Sequence, residues 1–305
     1  MKVLIFGSKG MVGSSVARNL NLSSEITLYE SSRKDTNLFS FEATKKTIEA
    51  FEPNIIINSA AKVGGIMANN TKRSEFIINN LKINMNIIES IIKFPEVKLV
   101  NLGSSCIYPL EAKNPISENS LMTGVLEPTN SPYAMAKLTA IEMGDALTKE
   151  FGHKIINLMP TNLYGPNDNF SDNESHVIPG LISRMHKAKE SDLKEFTVWG
   201  TGSPLREFLH VDDLAEAIRF IMLSEIHTGI YNIGSSHEVS IKELVEMLTE
   251  VIGFNGNIVF DTKKPDGNPR KLLDSTKIRK LGWEPKIDLM QGLNDTYKWY
   301  INNIN

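Results

Sequence analysis

The chain begins, after Met1, with the stretch Lys2-Val3-Leu4-Ile5-Phe6-Gly7-Ser8-Lys9-Gly10-Met11-Val12-Gly13. Its first part is a short apolar run that predicts a buried strand, and the segment after the glycines has helical periodicity. Glycines in such a turn permit close approach of the backbone to a pyrophosphate at a helix N-terminus. The spacing is Gly-x-x-Gly-x-x-Gly rather than Gly-x-Gly-x-x-Gly, but the strand–turn–helix context predicts a dinucleotide site. The alternative is a glycine-rich turn needed only for packing.

Strand-like and helix-like segments alternate through the first half of the chain. Strands are predicted at residues 2–6, 26–29, 55–58, 98–102 and 155–159, and helices at 11–20, 44–51, 74–94 and 132–151. This alternation is typical of parallel sheets whose two faces are covered by helices. We therefore expect an α/β fold with a Rossmann-type, doubly wound parallel sheet.

After Pro160 the pattern becomes less regular. Residues 161–175 are rich in Asn, Asp, Pro and Gly, which predicts a loop. Strands are predicted at 196–199, 206–211 and 231–233, and helices at 177–189, 212–224, 241–252 and 289–301, with Asp212-Asp213 as the N-cap of the second. We expect a dinucleotide-binding domain of residues 1–165 with returning segments near 206–235. Residues 166–305 would mainly form a smaller α/β substrate-binding lobe.

Composition narrows the possible functions. The 305 residues are 41% hydrophobic and 23% charged, as in a water-soluble globular protein, and the net charge of -3 gives no basic footprint for nucleic acid. The sequence has no apolar run long enough for a membrane span. A single cysteine argues against a disulfide framework and favours a reducing compartment, so we expect a cytoplasmic protein. No metal site is expected.

Four side chains capable of proton transfer lie close together in the sequence. Ser104 and Cys106 follow the fourth predicted strand, and Tyr133 and Lys137 lie four residues apart in a predicted helix. That spacing places both side chains on one helix face. A lysine ammonium beside a phenol is expected to lower the tyrosine pKa, so that Tyr133 could exchange a proton near neutral pH.

The order of the glycine turn, Ser104 and the Tyr133-x-x-x-Lys137 pair resembles the extended short-chain dehydrogenase/reductase superfamily. Longer stretches at 60–70, 102–109, 126–130, 159–166, 175–179, 198–211 and 264–271 resemble the GDP-L-fucose synthase family within it. This resemblance implies NADPH-dependent epimerisation at C3 and C5 and reduction at C4 of a GDP-linked 4-keto-6-deoxy sugar.

The resemblance also implies roles for individual side chains. Tyr133 would protonate the C4 oxygen, Ser104 would hydrogen-bond it, and Lys137 would hold the nicotinamide ribose. Cys106 and His176 would exchange protons at C3 and C5. Inversion beside a ketone needs one group to remove a proton and another to return it on the opposite face, which suits a thiol and an imidazole. By sequence alone, Cys106 could instead be a small buried hydrophobe and His176 a loop or cap residue.

The cofactor is expected to be NADP, with NAD as the alternative. Glu30 could accept a hydrogen bond from the ribose of NAD, whereas Lys9, Arg33 and Lys34 could bind a 2′-phosphate. Ser31 stands where a basic residue was expected, which weakens the preference for NADP. The predicted cofactor-binding residues are Gly7, Lys9, Gly10, Met11, Val12, Gly13, Arg33, Ala60, Leu102, Lys137, Pro160, Asn162 and Leu163.

The predicted substrate-binding residues are Arg184, Trp199, Arg206 and Asp266. Arginines bind diphosphates through paired hydrogen bonds, and a carboxylate can accept from sugar hydroxyls. Arg206 could instead form a structural ion pair with Glu207.

Two other functions are compatible with these motifs. One is C4 reduction of another GDP-linked 4-keto-6-deoxy sugar, such as a 6-deoxyheptose, with or without epimerisation. The other is a dinucleotide-sensing binding protein without catalysis, which Tyr133 and Lys137 argue against. The resemblance further implies a homodimer with its interface on the predicted helices at 74–94 and 132–151.

Overall fold

The computed structural model describes residues 1–171, 174–264 and 266–304. Asp172 and Asn173 of the predicted 161–175 loop, together with Pro265 and Asn305, lie outside these described residues. The strands are β1 (Lys2–Phe6), β2 (Thr27–Ser31), β3 (Ile55–Asn58), β4 (Lys98–Leu102), β5 (Lys154–Pro160), β6 (Asn162–Tyr164), β7 (Glu195–Trp199), β8 (Leu205–His210), β9 (Gly229–Ile233), β10 (Glu238–Ser240), β11 (Asn257–Asp261) and β12 (Arg270–Lys271). The helices are α1 (Met11–Leu20), α2 (Phe41–Phe51), α3 (Ile66–Thr71), α4 (Arg73–Ser90), α5 (Ser131–Phe151), α6 (Val177–Glu190), α7 (Val211–Leu223), α8 (Ile241–Ile252), α9 (Thr276–Arg279) and α10 (Leu289–Asn303).

Six of these strands form one parallel sheet in the order β2-β1-β3-β4-β5-β9. Every residue of β3 and β4 is buried, as expected for strands covered on both faces. Helices α1 and α7 pack together, as do α2, α4 and α5. The predicted α/β fold with a doubly wound parallel sheet is confirmed.

The chain order reverses between β1 and β3, because β2 lies on one side of β1 and the later strands on the other. Ligands of such folds bind in the crevice at the carboxyl ends of the strands beside this switch point. The crevice is therefore lined by the turn after β1, the loop after β3 and the segment after β4.

A second layer of structure covers this edge. Strands β10, β8 and β12 form a small sheet with β6 paired to β8, and β11 pairs with β7. Helices α6, α8 and α10 enclose a separate apolar core that includes Leu181, Phe208, Leu244 and Tyr297. Among the described residues, no helix is both long enough and apolar enough to cross a membrane.

Several local predictions need correction. Helix α3, at residues 66–71, was not predicted. The predicted loop at 161–175 contains strand β6. The N-cap of α7 is His210, whose Nδ1 accepts from the backbone N–H of Asp212 at 3.3 Å, so the predicted Asp212-Asp213 cap is wrong. Asp212 instead accepts from the Ser15 hydroxyl at 2.5 Å and from Arg18 at 2.8 Å, which joins α7 to α1.

Candidate active site

The turn between β1 and α1 is shaped by two glycines. Gly7 has φ +81°, a conformation that side chains disfavour. A Cβ on Gly13 would lie 2.2 Å from the carbonyl oxygen of Gly7, so α1 can pack against the turn only without a side chain there. In the described structure no side chain caps the first turn of α1, where Met11 and Val12 lie. Its backbone N–H groups are therefore available to a diphosphate, and the turn fits a dinucleotide.

The end of β2 carries the residues that would meet the ribose 2′ position. Lys9 Nζ lies 3.2 Å from Glu30 Oε2, so the carboxylate is paired with a cation from the glycine turn. Ser31 is buried and donates to the hydroxyl of Thr36 at 2.8 Å. Arg33, on the following loop, is exposed. The arrangement presents basic groups and a neutralised carboxylate at this position.

Other predicted cofactor residues line the edge of the sheet. The backbone of Ala60 would lie 2.8 Å from a Cβ on Gly7, so the loop after β3 packs directly on the glycine turn. Pro160 ends β5. In β6, Asn162 donates from its side chain to the carbonyl of Glu207 at 2.9 Å, and Leu163 packs against the core. The cofactor roles of these residues stay predictions.

Lys137 is held at the carboxyl end of β4. Its ammonium donates to the Leu102 carbonyl at 2.6 Å and lies 5.8 Å from the centroid of the Tyr133 ring. The lysine is 2% exposed, and burial lowers its pKa to about 8. Helix α5 therefore brings both side chains to the strand edge, as their spacing indicated.

The expected lowering of the Tyr133 pKa is wrong. Burial raises the pKa of this phenol, electrostatic repulsion by the nearby Cys106 raises it further, and a hydrogen bond with Ser104 acts in the opposite direction. The ammonium of Lys137 faces the Leu102 carbonyl instead, so its charge does not offset the desolvation of the phenol. Tyr133 is thus a protonated phenol at neutral pH, suited to donating a proton.

Ser104 and Cys106 come into the same cleft through a short 3₁₀ turn after β4. The Ser104 hydroxyl accepts from the backbone N–H of Cys106 at 3.2 Å and caps the turn. Cys106 is only partly buried and is a free thiol, so it is not the fully buried hydrophobe that was the alternative.

His176 occupies the N-cap position of α6, but its side chain makes no capping hydrogen bond. His176 is exposed as a residue, and desolvation by the protein around its ring lowers the pKa of the imidazole. Just before it, the carbonyl of Glu174 accepts from the backbone N–H of Gly65 at 3.1 Å. The segment that carries His176 is thereby tied to the loop after β3.

Three of the four predicted substrate residues gather on the second layer. Trp199 ends β7 with 62% of its surface exposed, and Lys264 Nζ lies 5.5 Å from the centroid of its ring. Asp266 accepts from the backbone and hydroxyl of Thr201 at 2.9 and 2.7 Å, and these hydrogen bonds lower its pKa. Arg206 lies close enough to Asp266 for their charges to interact. Together they form a polar wall with one exposed aromatic face.

Arg184, the fourth predicted substrate residue, lies on helix α6, beside strand β7. It hydrogen-bonds the carbonyls of Gly180 and Thr197 and lies 5.3 Å from the centroid of the Phe196 ring. With Lys187 it lines a shallow depression of about 440 Å³ beside β7. Arg184 thus lies beside β7, the strand that ends at Trp199.

The alternative ion pair between Arg206 and Glu207 does not form. Neighbouring residues in a strand point to opposite faces. Glu207 is fully buried and accepts from the backbone N–H groups of Ser236 at 2.7 Å and Leu273 at 3.1 Å. Arg206 instead donates to the Leu205 carbonyl at 2.8 Å. Glu207 therefore holds two chain segments together. The Arg206 guanidinium lies on the other face of the strand, which is the side of the cleft.

Two contacts at the site were not predicted. Phe76 on α4 meets the Tyr133 ring edge-on at 6.4 Å, and Lys264 faces Trp199. Neither has a local signal, since each pairs residues more than fifty positions apart in the chain.

Comparison with known proteins gives a consistent picture. Residues 3–234 match the family model described as the NAD dependent epimerase/dehydratase family. An Oryza sativa subsp. japonica protein named probable GDP-L-fucose synthase 1 is 49% identical over 306 residues, covering 99% of this chain and 93% of the relative. The structure of a GDP-L-fucose synthetase from Naegleria fowleri bound to NADP has a TM-score of 0.90 at 28% identity, covering 99% and 94% of the two chains. A GDP-6-OMe-4-keto-L-xylo-heptose reductase from C. jejuni has a TM-score of 0.90 at 32% identity, covering 99% and 97%.

Proposed function

Because the chain belongs to the NAD dependent epimerase/dehydratase family, and because it resembles a GDP-L-fucose synthase over 99% of its length, we propose that it converts GDP-4-keto-6-deoxy-D-mannose to GDP-L-fucose. The enzyme inverts C3 and C5 and then reduces the C4 ketone with NADPH. One observation carries this proposal: the short turn after β4, capped by Ser104, places the partly exposed free thiol of Cys106 two residues from the reductase serine. A reductase alone needs no thiol there, whereas an epimerase-reductase does.

NADP is the cofactor, and its reduced form, NADPH, would supply the hydride for C4 when bound. The glycine turn would hold its diphosphate at the N-terminus of α1. The ion pair of Lys9 with Glu30 favours NADP over NAD, because it neutralises the carboxylate that would repel a 2′-phosphate. Exposed Arg33 would add a second positive charge at that position.

Reduction uses the side chains at the end of β4 and the start of α5. Tyr133 donates its proton to the C4 oxygen, and its raised pKa keeps that proton in place until charge develops on the oxygen. Ser104 donates a hydrogen bond to the same oxygen. Lys137 would bind the nicotinamide ribose while anchored to the Leu102 carbonyl.

Epimerisation uses Cys106 and His176. The C4 ketone acidifies the protons at C3 and C5, and one of the two groups removes a proton while the other returns one to the opposite face. Desolvation lowers the His176 pKa, so the imidazole is neutral at pH 7 and can accept a proton. Ser104 and Tyr133 would donate hydrogen bonds to the enolate oxygen that forms between the two transfers.

The GDP moiety would bind the second layer. Trp199 offers an exposed ring for stacking, Arg206 and Arg184 offer guanidinium groups for the diphosphate, and Asp266 offers a fixed carboxylate for hydroxyl groups. These contacts stay proposals. The division into a cofactor domain of 1–165 with returning segments and a substrate lobe of 166–305 is likewise a proposal, supported by the insertion of β9 into the main sheet.

The alternative is C4 reduction of another GDP-4-keto-6-deoxy sugar such as a 6-deoxyheptose, which the likeness to the C. jejuni heptose reductase favours. The two functions differ in proton exchange. We would incubate the protein with GDP-4-keto-6-deoxy-D-mannose in D₂O, first without and then with NADPH, and read C3 and C5 by NMR. Deuterium at both carbons and a fucose product support epimerase-reductase activity, whereas reduction without inversion supports the alternative.

The division of labour can be tested with Cys106→Ser. This variant should lose most of the deuterium exchange yet still reduce a ketone already inverted at C3 and C5, because Ser104, Tyr133 and Lys137 are unchanged. NADPH oxidation measures the second activity. Equal loss of both activities would contradict separate roles. Silence of the wild type with all GDP-4-keto sugars offered would instead favour a binding protein.

We also propose a homodimer whose interface lies on α4 and α5. Ile78, Met85 and Ile92, on and just beyond α4, are 49, 44 and 41% exposed, and Met135 on α5 is 47% exposed. Apolar side chains in such a stripe would be covered by the same stripe of a second copy. Light scattering should give twice the monomer mass, and Ile78→Glu with Met85→Glu should halve it. A monomeric wild type would contradict this interface.

A cytoplasmic location is proposed for a chemical reason. Proton exchange by Cys106 requires a reduced thiol, and the cytoplasm maintains thiols in that state.

A further inference from the structure

Gly65, in the loop between β3 and α3, makes an unusually close backbone contact with the segment before His176. Its N–H donates to the Glu174 carbonyl at 3.1 Å. A Cβ on Gly65 would lie 2.6 Å from the carbonyl oxygen of Ser175, the residue next to His176. Two chain segments separated by more than a hundred residues therefore touch at a point where no side chain fits.

The need for glycine here is steric. Gly65 has φ -65° and ψ -179°, which any residue can adopt. An alanine would therefore be tolerated by its own backbone but would collide with the Ser175 carbonyl. To restore an ordinary contact distance, the 174–176 segment would have to move by about half an ångström or more, since carbon–oxygen contacts are normally above 3 Å.

The loop that carries Gly65 cannot easily move away from the Ser175 carbonyl, because hydrogen bonds from Asn69 hold it in place. The buried amide of Asn69 donates to the carbonyls of Gly64 and Gly65 at 2.7 and 3.1 Å. The displacement caused by a side chain on Gly65 would therefore fall on the His176 side.

We propose that Gly65 is a positioning residue for the His176 imidazole, and hence for proton exchange at C3 and C5 rather than for hydride transfer. This inference rests on the proposed epimerase role of His176. The reductase side chains are positioned elsewhere: Ser104 by the turn after β4, and Tyr133 and Lys137 by α5. A shift of the 174–176 segment leaves those elements in place, so the two activities should separate.

The test is Gly65→Ala, assayed for deuterium exchange in D₂O and for reduction of the ketone already inverted at C3 and C5. Exchange should fall about tenfold or more, because small misplacements of a catalytic group are costly. Reduction should stay at the wild-type rate. Asn69→Ala removes the hydrogen bonds that hold the loop in place, so that Gly65 no longer holds the Glu174 carbonyl rigidly. This variant should show the same selective loss and serves if Gly65→Ala does not fold. Asn70→Ala, an exposed change on the same helix, is the control.

The outcomes distinguish the inference from the function it rests on. If the wild type exchanges no deuterium, or if His176→Gln exchanges normally, the proposed role of His176 is wrong. If the wild type exchanges and His176→Gln does not, wild-type exchange in a folded Gly65→Ala or Asn69→Ala overturns the inference alone. Equal loss of exchange and reduction would also overturn it, because that pattern indicates a general structural defect.

Discussion

Lys137→Met should change how the stability of the protein depends on pH. The ammonium is 2% exposed, and burial lowers its pKa from 10.5 to about 8. At pH 7 the lysine is protonated in both states, so burial of its charge costs about 3 kcal/mol of folding free energy. Methionine removes this desolvation cost, but it also removes the hydrogen bond to the Leu102 carbonyl, whose loss costs about 1–3 kcal/mol. The variant should therefore be as stable as the wild type at pH 7, or more stable.

The sharper expectation concerns the pH dependence. As pH rises through the folded pKa, the folded lysine loses its proton while the unfolded chain keeps it, so wild-type stability increases. Between pH 7 and pH 9 that gain is about 1.3 kcal/mol. Methionine cannot titrate, so the free-energy difference between variant and wild type should shift by this amount in favour of the wild type.

Urea unfolding of both proteins at several pH values in this window measures the shift. Lys46→Met, at an exposed position on α2, controls for removal of one lysine from the chain. A variant–wild-type difference that stays constant across the window would refute the reasoning, because it would mean that the folded lysine keeps an ordinary pKa. The variant should also lose reductase activity, which would show stability traded for function.

Three further substitutions test separate parts of the structure. Tyr133→Phe removes the proton donor and should slow NADPH-dependent reduction about a hundredfold to ten-thousandfold, with near-normal rates arguing for another acid. Gly13→Ala would bring a Cβ within 2.2 Å of the Gly7 carbonyl, so calorimetric NADP binding should be lost, and retained affinity would contradict the packing. Glu207→Gln turns an amide N–H₂ toward one of two backbone N–H donors and should cost about 1–3 kcal/mol in urea unfolding. An unchanged unfolding midpoint would show that this carboxylate holds neither segment.

Much of the fold could be predicted because its signals are local. The strand at Ile55–Asn58 is a continuous apolar run, and it forms over the predicted residues. Helix α8 also has its predicted bounds, since Ser240 and Glu243 form a capping box at its start. The short strands β10 and β12 were not predicted. They have three and two residues, and they exist only because β8 lies beside them.

The sequence by itself determined which chemical groups are present and that Ser104, Tyr133 and Lys137 share one sheet edge, because strand ends and helical spacing are local properties. Only the tertiary structure decided the direction of the Tyr133 pKa, which depends on burial and on Cys106 and Ser104. It alone decided the contact of Gly65 with the segment before His176. Desolvation and contacts between distant segments depend on how the whole chain packs, and no local pattern encodes them.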